Sequence, residues 1–208
     1  MKFGLIESLA RPGGNITGVS VDAGLEVWGK RLELLTEVVG KQLNIVFVST
    51  KGGWDGAGGL AARDTAKKLG VNLVLAPVSL PVTEEACRHA IDLIQRDQVG
   101  GVMFADEGEL YTQRLLLVRL VQQVRVPAIF VYREQTEVGG LISYSYDFKA
   151  ASRTGAMQIV RILHGAKPSD TPYMQETHFE LVINNKAAKE FGLKISPLMV
   201  SRADEVIE

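Results

Sequence analysis

The sequence predicts an α/β fold in which a Rossmann-like parallel sheet is flanked by helices. Short apolar runs rich in β-branched residues, such as residues 43–50 (LNIVFVST) and 99–105 (VGGVMFA), indicate strands buried on both faces. Stretches with apolar residues at helical spacing separate these runs, as in residues 110–124. Parallel neighbours need crossover helices, so this alternation favours right-handed β–α–β units.

Five strands joined by helices are predicted in the middle of the chain. The strands are residues 43–50, 71–78, 99–105, 128–132 and 141–146, and the helices are residues 60–69, 84–94, 110–124 and 148–163. Gly70 has the position of a helix stop, and Thr83 has the position of a helix N-cap. We interpret the glycine-rich residues 51–59 as a turn after the first of these strands.

The two ends of the chain fit this pattern less well. Residues 15–21 (NITGVSV) are typical of a strand, and residues 25–39 of an amphipathic helix. A Pro-bearing linker at 167–172 precedes a predicted strand at 179–183 and a short helix ending near Gly192. These pieces are too few for a sheet of their own. We therefore expect parts of a second lobe, or strands that extend the first.

Composition and charge narrow the function classes. The 208 residues are 46% hydrophobic with a net charge of −1, so the chain can form an ordinary core and has no basic excess for nucleic acid. No apolar run approaches the roughly 20 residues that cross a bilayer. Residues 1–7 do not have the pattern of a signal peptide, because Glu7 interrupts them. Cys87 is the single cysteine, which excludes an internal disulfide.

Residues that directly follow the predicted strands are the candidates for a ligand site. In an open parallel sheet, ligands bind beyond the carboxyl ends of the strands. The candidates combine aromatic side chains, which can stack on a ring, with charged side chains, which can bind an amino or carboxylate group. They are Lys51 and Trp54 after the first strand, Asp106 and Glu107 after the third, Tyr132 after the fourth, and Tyr146 and Asp147 after the fifth.

Each of these candidates also has a purely structural alternative. Trp54 could pack on the sheet without touching a ligand. Asp106 and Asp147 could be helix N-caps. The glycines of residues 51–59 could form a flexible turn and nothing more.

Motifs of common enzymes and cofactor sites are missing from the sequence. The glycines at 52–59 do not match G-x-G-x-x-G, and the second strand ends in Ala76-Pro77 where a dinucleotide fold would have an acid. Neither a phosphate-binding P-loop nor a G-x-S-x-G nucleophile elbow occurs. The three histidines lie away from the predicted strand ends. The sequence therefore predicts a binding protein without a metal or cofactor, and not an enzyme.

Several stretches spread over nearly the whole chain carry a resemblance to a known family. They are residues 8–18 (SLARPGGNITG), 29–35 (GKRLELL), 132–134 (YRE), 139–144 (GGLISY), 162–168 (ILHGAKP), 179–184 (FELVIN), 192–193 (GL) and 202–207 (RADEVI). In combination they resemble the substrate-binding proteins of bacterial ABC transporters with a type I periplasmic-binding-protein fold, specifically the group similar to tryptophan/tyrosine-binding lipoproteins.

This resemblance implies two α/β lobes joined by hinge strands, with a solute held in the interlobe cleft as the lobes close. It also implies that one lobe is complete and the other partial, because members of the family carry most of the first lobe before the segment that matches residues 8–18. The implied division is a partial first lobe and hinge over 1–40, a second α/β lobe over 41–145, and the hinge return with the rest of the partial lobe over 146–208.

The function implied by the resemblance is the solute-binding component of a bacterial ABC importer. Its partners would be a small-molecule solute, such as an amino acid or an aromatic compound, and an ABC permease in the membrane. Its location would be the periplasm or the extracellular face of the membrane. The Lys51–Trp54 segment departs from the Asn-Pro of many relatives, so amino-acid specificity does not carry over. Asp147 is expected to contact an amino or hydroxyl group of the solute.

An alternative function is left open by the same resemblance. A domain of this fold can sense an effector and regulate through dimerisation. A homodimer would then cover the apolar surface left open by the missing lobe.

Overall fold

The computed structural model describes residues 4–21, 24–40, 44–94 and 99–208. The chain forms two units, each with its own internal contacts. The larger unit comprises residues 25–145 and 180–208, and the smaller unit comprises residues 1–24 and 146–179. Leu43, with which the first central strand was predicted to begin, and residues 1–3 of the opening segment lie outside the described residues.

A seven-stranded sheet forms the centre of the larger unit. The described strands of both units, in chain order, are β1 (Val19–Ser20), β2 (Asn44–Thr50), β3 (Leu73–Val78), β4 (Val99–Phe104), β5 (Ala128–Phe130), β6 (Ile142–Tyr146), β7 (Met174–Gln175), β8 (Phe179–Asn184) and β9 (Glu205–Ile207). All of these except β1 and β7 belong to the seven-stranded sheet. The sheet has the order β3-β2-β4-β5-β6-β8-β9, and its ladders from β3 to β6 and between β8 and β9 are parallel. The predicted α/β fold with a parallel sheet is confirmed.

Helices connect the strands and cover the sheet. They are α1 (Glu26–Val39), α2 (Lys51–Asp55), α3 (Ala57–Leu69), α4 (Glu84–Asp92), α5 (Gly108–Thr112), α6 (Arg114–Val124), α7 (Arg133–Glu137), α8 (Phe148–Leu163), α9 (Asn185–Glu190) and α10 (Pro197–Arg202). Thr83 accepts a hydrogen bond from the backbone N–H of Ala86 and so caps α4, as its position predicts. None of the described helices is long and apolar enough to cross a bilayer.

Burial of the strands follows their place in the sheet. Every residue of β4 is buried because strands and helices surround it, and this explains its unbroken apolar sequence. The edge strand β3 is only partly buried. It contains Pro77, which has no N–H to donate and is therefore tolerated at an edge.

The interpretation of residues 51–59 as a turn is wrong, because the segment forms α2 and the start of α3. The Thr50 hydroxyl accepts the N–H of Gly53 and caps α2. The glycines serve close packing instead of flexibility. A β-carbon at Gly59 would overlap the carbonyl oxygen of Trp54, and one at Gly58 would overlap the Trp28 ring.

We expect opposite effects from two glycine-to-alanine substitutions in this segment. Gly59→Ala should lower the free energy of unfolding by about 1–3 kcal/mol, because the added methyl group meets backbone atoms that cannot move aside. Gly52→Ala should raise it by about 0.4–1 kcal/mol, because Gly52 is exposed, lies in α2 and has room for a methyl group. Urea unfolding measures both, and an equal gain from both would contradict the close packing at Gly59.

Other predicted bounds shift by a few residues. The strand predicted at 15–21 is only the two-residue β1, and the strand predicted at 128–132 ends at Phe130. The helix predicted over 110–124 is divided at Gln113 into α5 and α6. Four short elements, α7, α10, β7 and β9, were not predicted. They have too few residues to show a period in the sequence.

Long-range ion pairs hold two of these short elements in the larger unit. Arg133, the first residue of α7, pairs with Glu137 of its own helix, with Glu180 of β8 at 3.1 Å, and with Glu205 of β9. Hydrogen bonding to Glu137 and the neighbouring carboxylates raise the pKa of this guanidinium above its usual range. Arg133 therefore fixes α7 to the last two strands of the sheet.

The smaller unit is built on a two-stranded parallel sheet of β1 and β7, with α8 packed against β1. Thr17 donates a hydrogen bond to the carbonyl of Thr171 at 2.7 Å, and Gln158 of α8 donates to that of Pro172 at 2.9 Å. These contacts join the first segment of the chain to residues 146–179. The sequence assigned residues 25–40 and 180–208 to the partial lobe, whereas contacts group both with the larger unit. The assignment of the units to lobes stays a prediction.

Candidate functional site

Five of the predicted site residues follow strands of the larger unit at the carboxyl edge of its sheet. Lys51 and Trp54 belong to α2 after β2, Asp106 and Glu107 follow β4, and Tyr132 follows β5. Tyr146 and Asp147 follow β6 and belong to the smaller unit. We use the name strand-end cluster for Trp54, Asp106, Glu107, Tyr111 and Tyr132.

Asp106 is the centre of a hydrogen-bond network within this cluster. Its Oδ1 accepts the Tyr132 hydroxyl at 2.9 Å, and its Oδ2 accepts Nη2 of Arg31 at 3.1 Å. The Asp106 side chain is 25% exposed, whereas that of Arg31 is 1% exposed. The structure therefore brings together two predicted residues, and it gives Asp106 a role other than the N-cap that we considered as its alternative.

Arg31 is a site residue that the sequence analysis missed. It lies on α1, and its Nε donates to the carbonyl of Tyr144 at 2.8 Å, while its Nη1 is buried and has no hydrogen-bond partner among the residues that the structure describes. A signal was present, because Val27, Leu34 and Leu35 share the inward helical face with Arg31. An arginine on such a face needs an acceptor for its buried charge, and Asp106 is that acceptor.

Tyr144 contributes a half-buried polar group beside Arg31. Burial raises the pKa of the Tyr144 phenol, and the positive charge of Arg31 opposes this effect. The phenol therefore stays neutral at physiological pH and can act as a hydrogen-bond donor.

Glu107 lies over the start of α2. Its Oε1 accepts the Ser49 hydroxyl at 2.6 Å and the Thr50 N–H at 3.1 Å. A β-carbon at Gly53 would overlap this carboxylate. Among the described residues, no Lys, Arg or His nitrogen lies within ion-pair distance of Glu107. Glu107 is thus held by neutral donors alone.

Aromatic rings supply the apolar part of the cluster. Tyr132 packs edge-to-face on Tyr111 with ring centroids 4.7 Å apart, and the guanidinium of Arg114 lies 4.3 Å from the Tyr111 ring. The ring centroids of Trp54 and the buried Phe47 are 5.8 Å apart, and Cζ of Arg63 lies 4.4 Å from the centroid of the Trp54 ring. Trp54 nevertheless remains partly exposed. Trp54 therefore packs on the sheet and also presents ring surface to solvent.

The remaining predicted residues have local partners. Lys51 forms an exposed ion pair with Asp55 at 2.6 Å, one helical turn further on. Asp147 accepts the N–H of Ala150 at 2.8 Å and caps α8, which is the structural alternative considered for it. Tyr146 lies 6.3 Å from the ring of Phe148. A solute role for these residues stays a prediction.

Two clefts of the larger unit are lined by residues outside the strand-end cluster. A cleft of about 380 Å³ lies between α4 and α6 and includes Arg88, Arg114 and Arg119. Another of about 380 Å³ includes Asn184 and Glu190. Neither contains a predicted site residue. In the part of the chain that the structure describes, no group of His, Cys, Asp and Glu could hold a metal ion.

Comparison with protein families shows to which family the chain belongs. A sequence profile of the family described as ABC transporter substrate binding protein matches residues 1–207. The chain belongs to this family. The family consists of binding proteins and is not an enzyme family, and its members are typically periplasmic or extracellular. No curated protein matches the sequence at a significant level.

Solved structures show the same fold. A conserved domain protein from Vibrio cholerae is 21% identical with a TM-score of 0.76, and the match covers 99% of this chain and 68% of that one. The ABC domain from Streptococcus pneumonia in complex with L-Trp is 23% identical with a TM-score of 0.75, covering 100% and 69%. A LacI family transcriptional regulator from Arthrobacter is 14% identical with a TM-score of 0.55, covering 82% and 65%. The predicted type I periplasmic-binding-protein fold is confirmed.

Proposed function

We propose that the chain is the solute-binding component of a bacterial ABC importer, and that the strand-end cluster forms one wall of its solute site. Membership in the substrate-binding family supports the class of function. The hydrogen-bond network of Arg31, Asp106 and Tyr132 supports the proposed location of the solute site, because it fixes the orientation of polar groups at the edge of the sheet where ligands bind in such folds.

The chemistry of the cluster suits a small solute with both a ring and a polar group. Trp54 and the pair of Tyr111 and Tyr132 offer aromatic surface, while Asp106 and Glu107 offer acceptors. An aromatic amino acid or a related aromatic compound has these features. The L-Trp complex of the Streptococcus protein makes this class the first to test.

Lys51, Tyr146 and Asp147 are retained as further proposed solute contacts, and the proposed membrane partner is an ABC permease. The cap that Asp147 provides to α8 uses its Oδ1. A carboxylate that caps a helix is held in one orientation, so a solute amino or hydroxyl group would meet a fixed acceptor. Membership in the family supports the proposed placement in the periplasm or at the extracellular face.

Thermal unfolding against a panel of solutes tests this function. We expect an aromatic amino acid or related compound to raise the melting temperature, because it binds only the folded chain. Tyr132→Phe should weaken that binding about tenfold, since Asp106 loses the hydroxyl that orients it. Tyr173→Phe in the smaller unit makes the same chemical change and should leave the affinity unchanged. A panel without any stabilising solute would contradict the proposal.

An effector-sensing regulatory domain is the second candidate. The likeness to a LacI family regulator favours it, as does α8, which exposes Ile159, Val160 and Leu163 to solvent. A homodimer that covers these residues would be expected to form or dissociate when the effector binds. Light scattering with and without L-tryptophan separates the candidates, because an importer component should keep its association state.

A further inference from the structure

We infer that Glu107 is a specificity-determining residue, which selects solutes that present a cation or a hydrogen-bond donor to the end of β2 and excludes those that present a carboxylate there. This inference rests on the proposed function and adds the charge of the solute to it.

The first ground is that the hydrogen-bond donors at the end of β2 are already bound to the Glu107 carboxylate. The Thr50 N–H donates to the Glu107 carboxylate, and the Ser49 hydroxyl, which also lies 2.9 Å from the Thr50 carbonyl, makes its shorter contact of 2.6 Å with the same carboxylate. Both donors could otherwise bind a solute anion.

The second ground is the space that Glu107 occupies. Its carboxylate lies so close to Gly53 that a β-carbon there would overlap it. The absence of a side chain at Gly53 therefore makes room for Glu107. A solute carboxylate could reach the same donors only by displacing Glu107 from a 2.6 Å hydrogen bond, which is the length of a charge-assisted bond.

The third ground is the balance of charge. Asp106 is paired with the buried Arg31, and Lys51 is paired with Asp55. Glu107 has only neutral donors among the described residues, although it is partly exposed. The Glu107 carboxylate therefore carries a negative charge that no ion pair among the described residues neutralises, since the two other cations at the cluster, Arg63 and Arg114, lie against the Trp54 and Tyr111 rings. A solute ammonium would offset this charge, whereas a carboxylate would be repelled by it.

Three indole compounds that share a two-carbon side chain and differ in its charged groups test this inference. Tryptamine has an ammonium group and no carboxylate, L-tryptophan has both, and indole-3-propionate has only the carboxylate. Isothermal titration of the 208-residue chain should give the tightest binding for tryptamine and the weakest for indole-3-propionate. We expect a ratio of at least about tenfold between these two.

Glu107→Gln keeps the size of the side chain and removes its charge, so the ratio should fall to near one in this variant. Glu109→Gln removes the same charge from an exposed residue two positions further on, and it should keep the ratio of the unmodified chain. Circular dichroism of both variants checks that they fold.

The outcomes separate the inference from the proposed function. Tighter binding of indole-3-propionate than of tryptamine would overturn the role of Glu107 and leave solute binding intact. A ratio unchanged in Glu107→Gln would do the same. Failure of all three compounds and of the wider solute panel would overturn both.

Discussion

Arg31→Met is expected to lower the free energy of unfolding by about 3–5 kcal/mol, the cost of breaking a buried ion pair by removing one partner. Arg31 is 1% exposed and donates to both Asp106 and the Tyr144 carbonyl. Methionine fills a similar volume but leaves the carboxylate without its cation and the carbonyl without its donor. Urea unfolding followed by circular dichroism measures the loss.

A double-mutant cycle shows how much of this loss belongs to the pair. Asp106→Asn removes the charge that Arg31 neutralises, so Arg31→Met combined with Asp106→Asn should cost less than the sum of the single changes. Arg119→Met is the control, because Arg119 is exposed on α6, and it should change stability by less than about 0.5 kcal/mol. A loss below about 1 kcal/mol for Arg31→Met would show that the guanidinium is not buried as described.

Phe47→Ala is expected to cost about 3–5 kcal/mol, because it removes a fully buried ring from the core beneath α2. The centroid of the Phe47 ring lies 6.0 Å from that of the Trp28 ring and 5.8 Å from that of the Trp54 ring. These are the two tryptophans of the chain. Their fluorescence should therefore shift to longer wavelength in the variant, as water enters the space that the ring leaves.

Two further substitutions test whether the loss of stability is specific to the buried ring of Phe47. Phe47→Leu keeps most of the apolar volume and should cost less than half as much as Phe47→Ala. Leu60→Ala truncates a half-exposed side chain of α3 and should have little effect on stability or fluorescence. Equal losses at Phe47 and Leu60 would contradict the packing of α2 and Trp54 on the sheet. Weakened solute binding in Phe47→Leu would further support the proposed use of Trp54.

Most of the central sheet could be predicted because its signals are local. The apolar run of β4 is buried along its whole length, and the cap at Thr83 needs only the three residues that follow it. The carboxyl edge of a parallel sheet is also predictable from strand ends alone, which is why the sequence predicts Asp106 and Tyr132 at one edge, where the structure joins them by a hydrogen bond.

The misread segments are those in which distant residues decide the conformation. Gly58 and Gly59 have the composition of a turn, but the Trp28 ring and the Trp54 carbonyl require the absence of a side chain there. Three residues form β9 only because β8 pairs with them and Arg133 holds Glu205. Neither reason can be read from neighbours along the chain.

The sequence alone therefore determined the central strands, the longer helices, the parallel sheet and the set of polar residues at its carboxyl edge, since each depends on a short-range pattern of burial or capping. Only the tertiary structure decided which of those residues act together. It placed the Arg31 guanidinium under Asp106 and the Glu107 carboxylate over Gly53. The physical reason is that a buried charge takes its partner from whichever element packs against it, and that partner lies 75 residues away for Arg31.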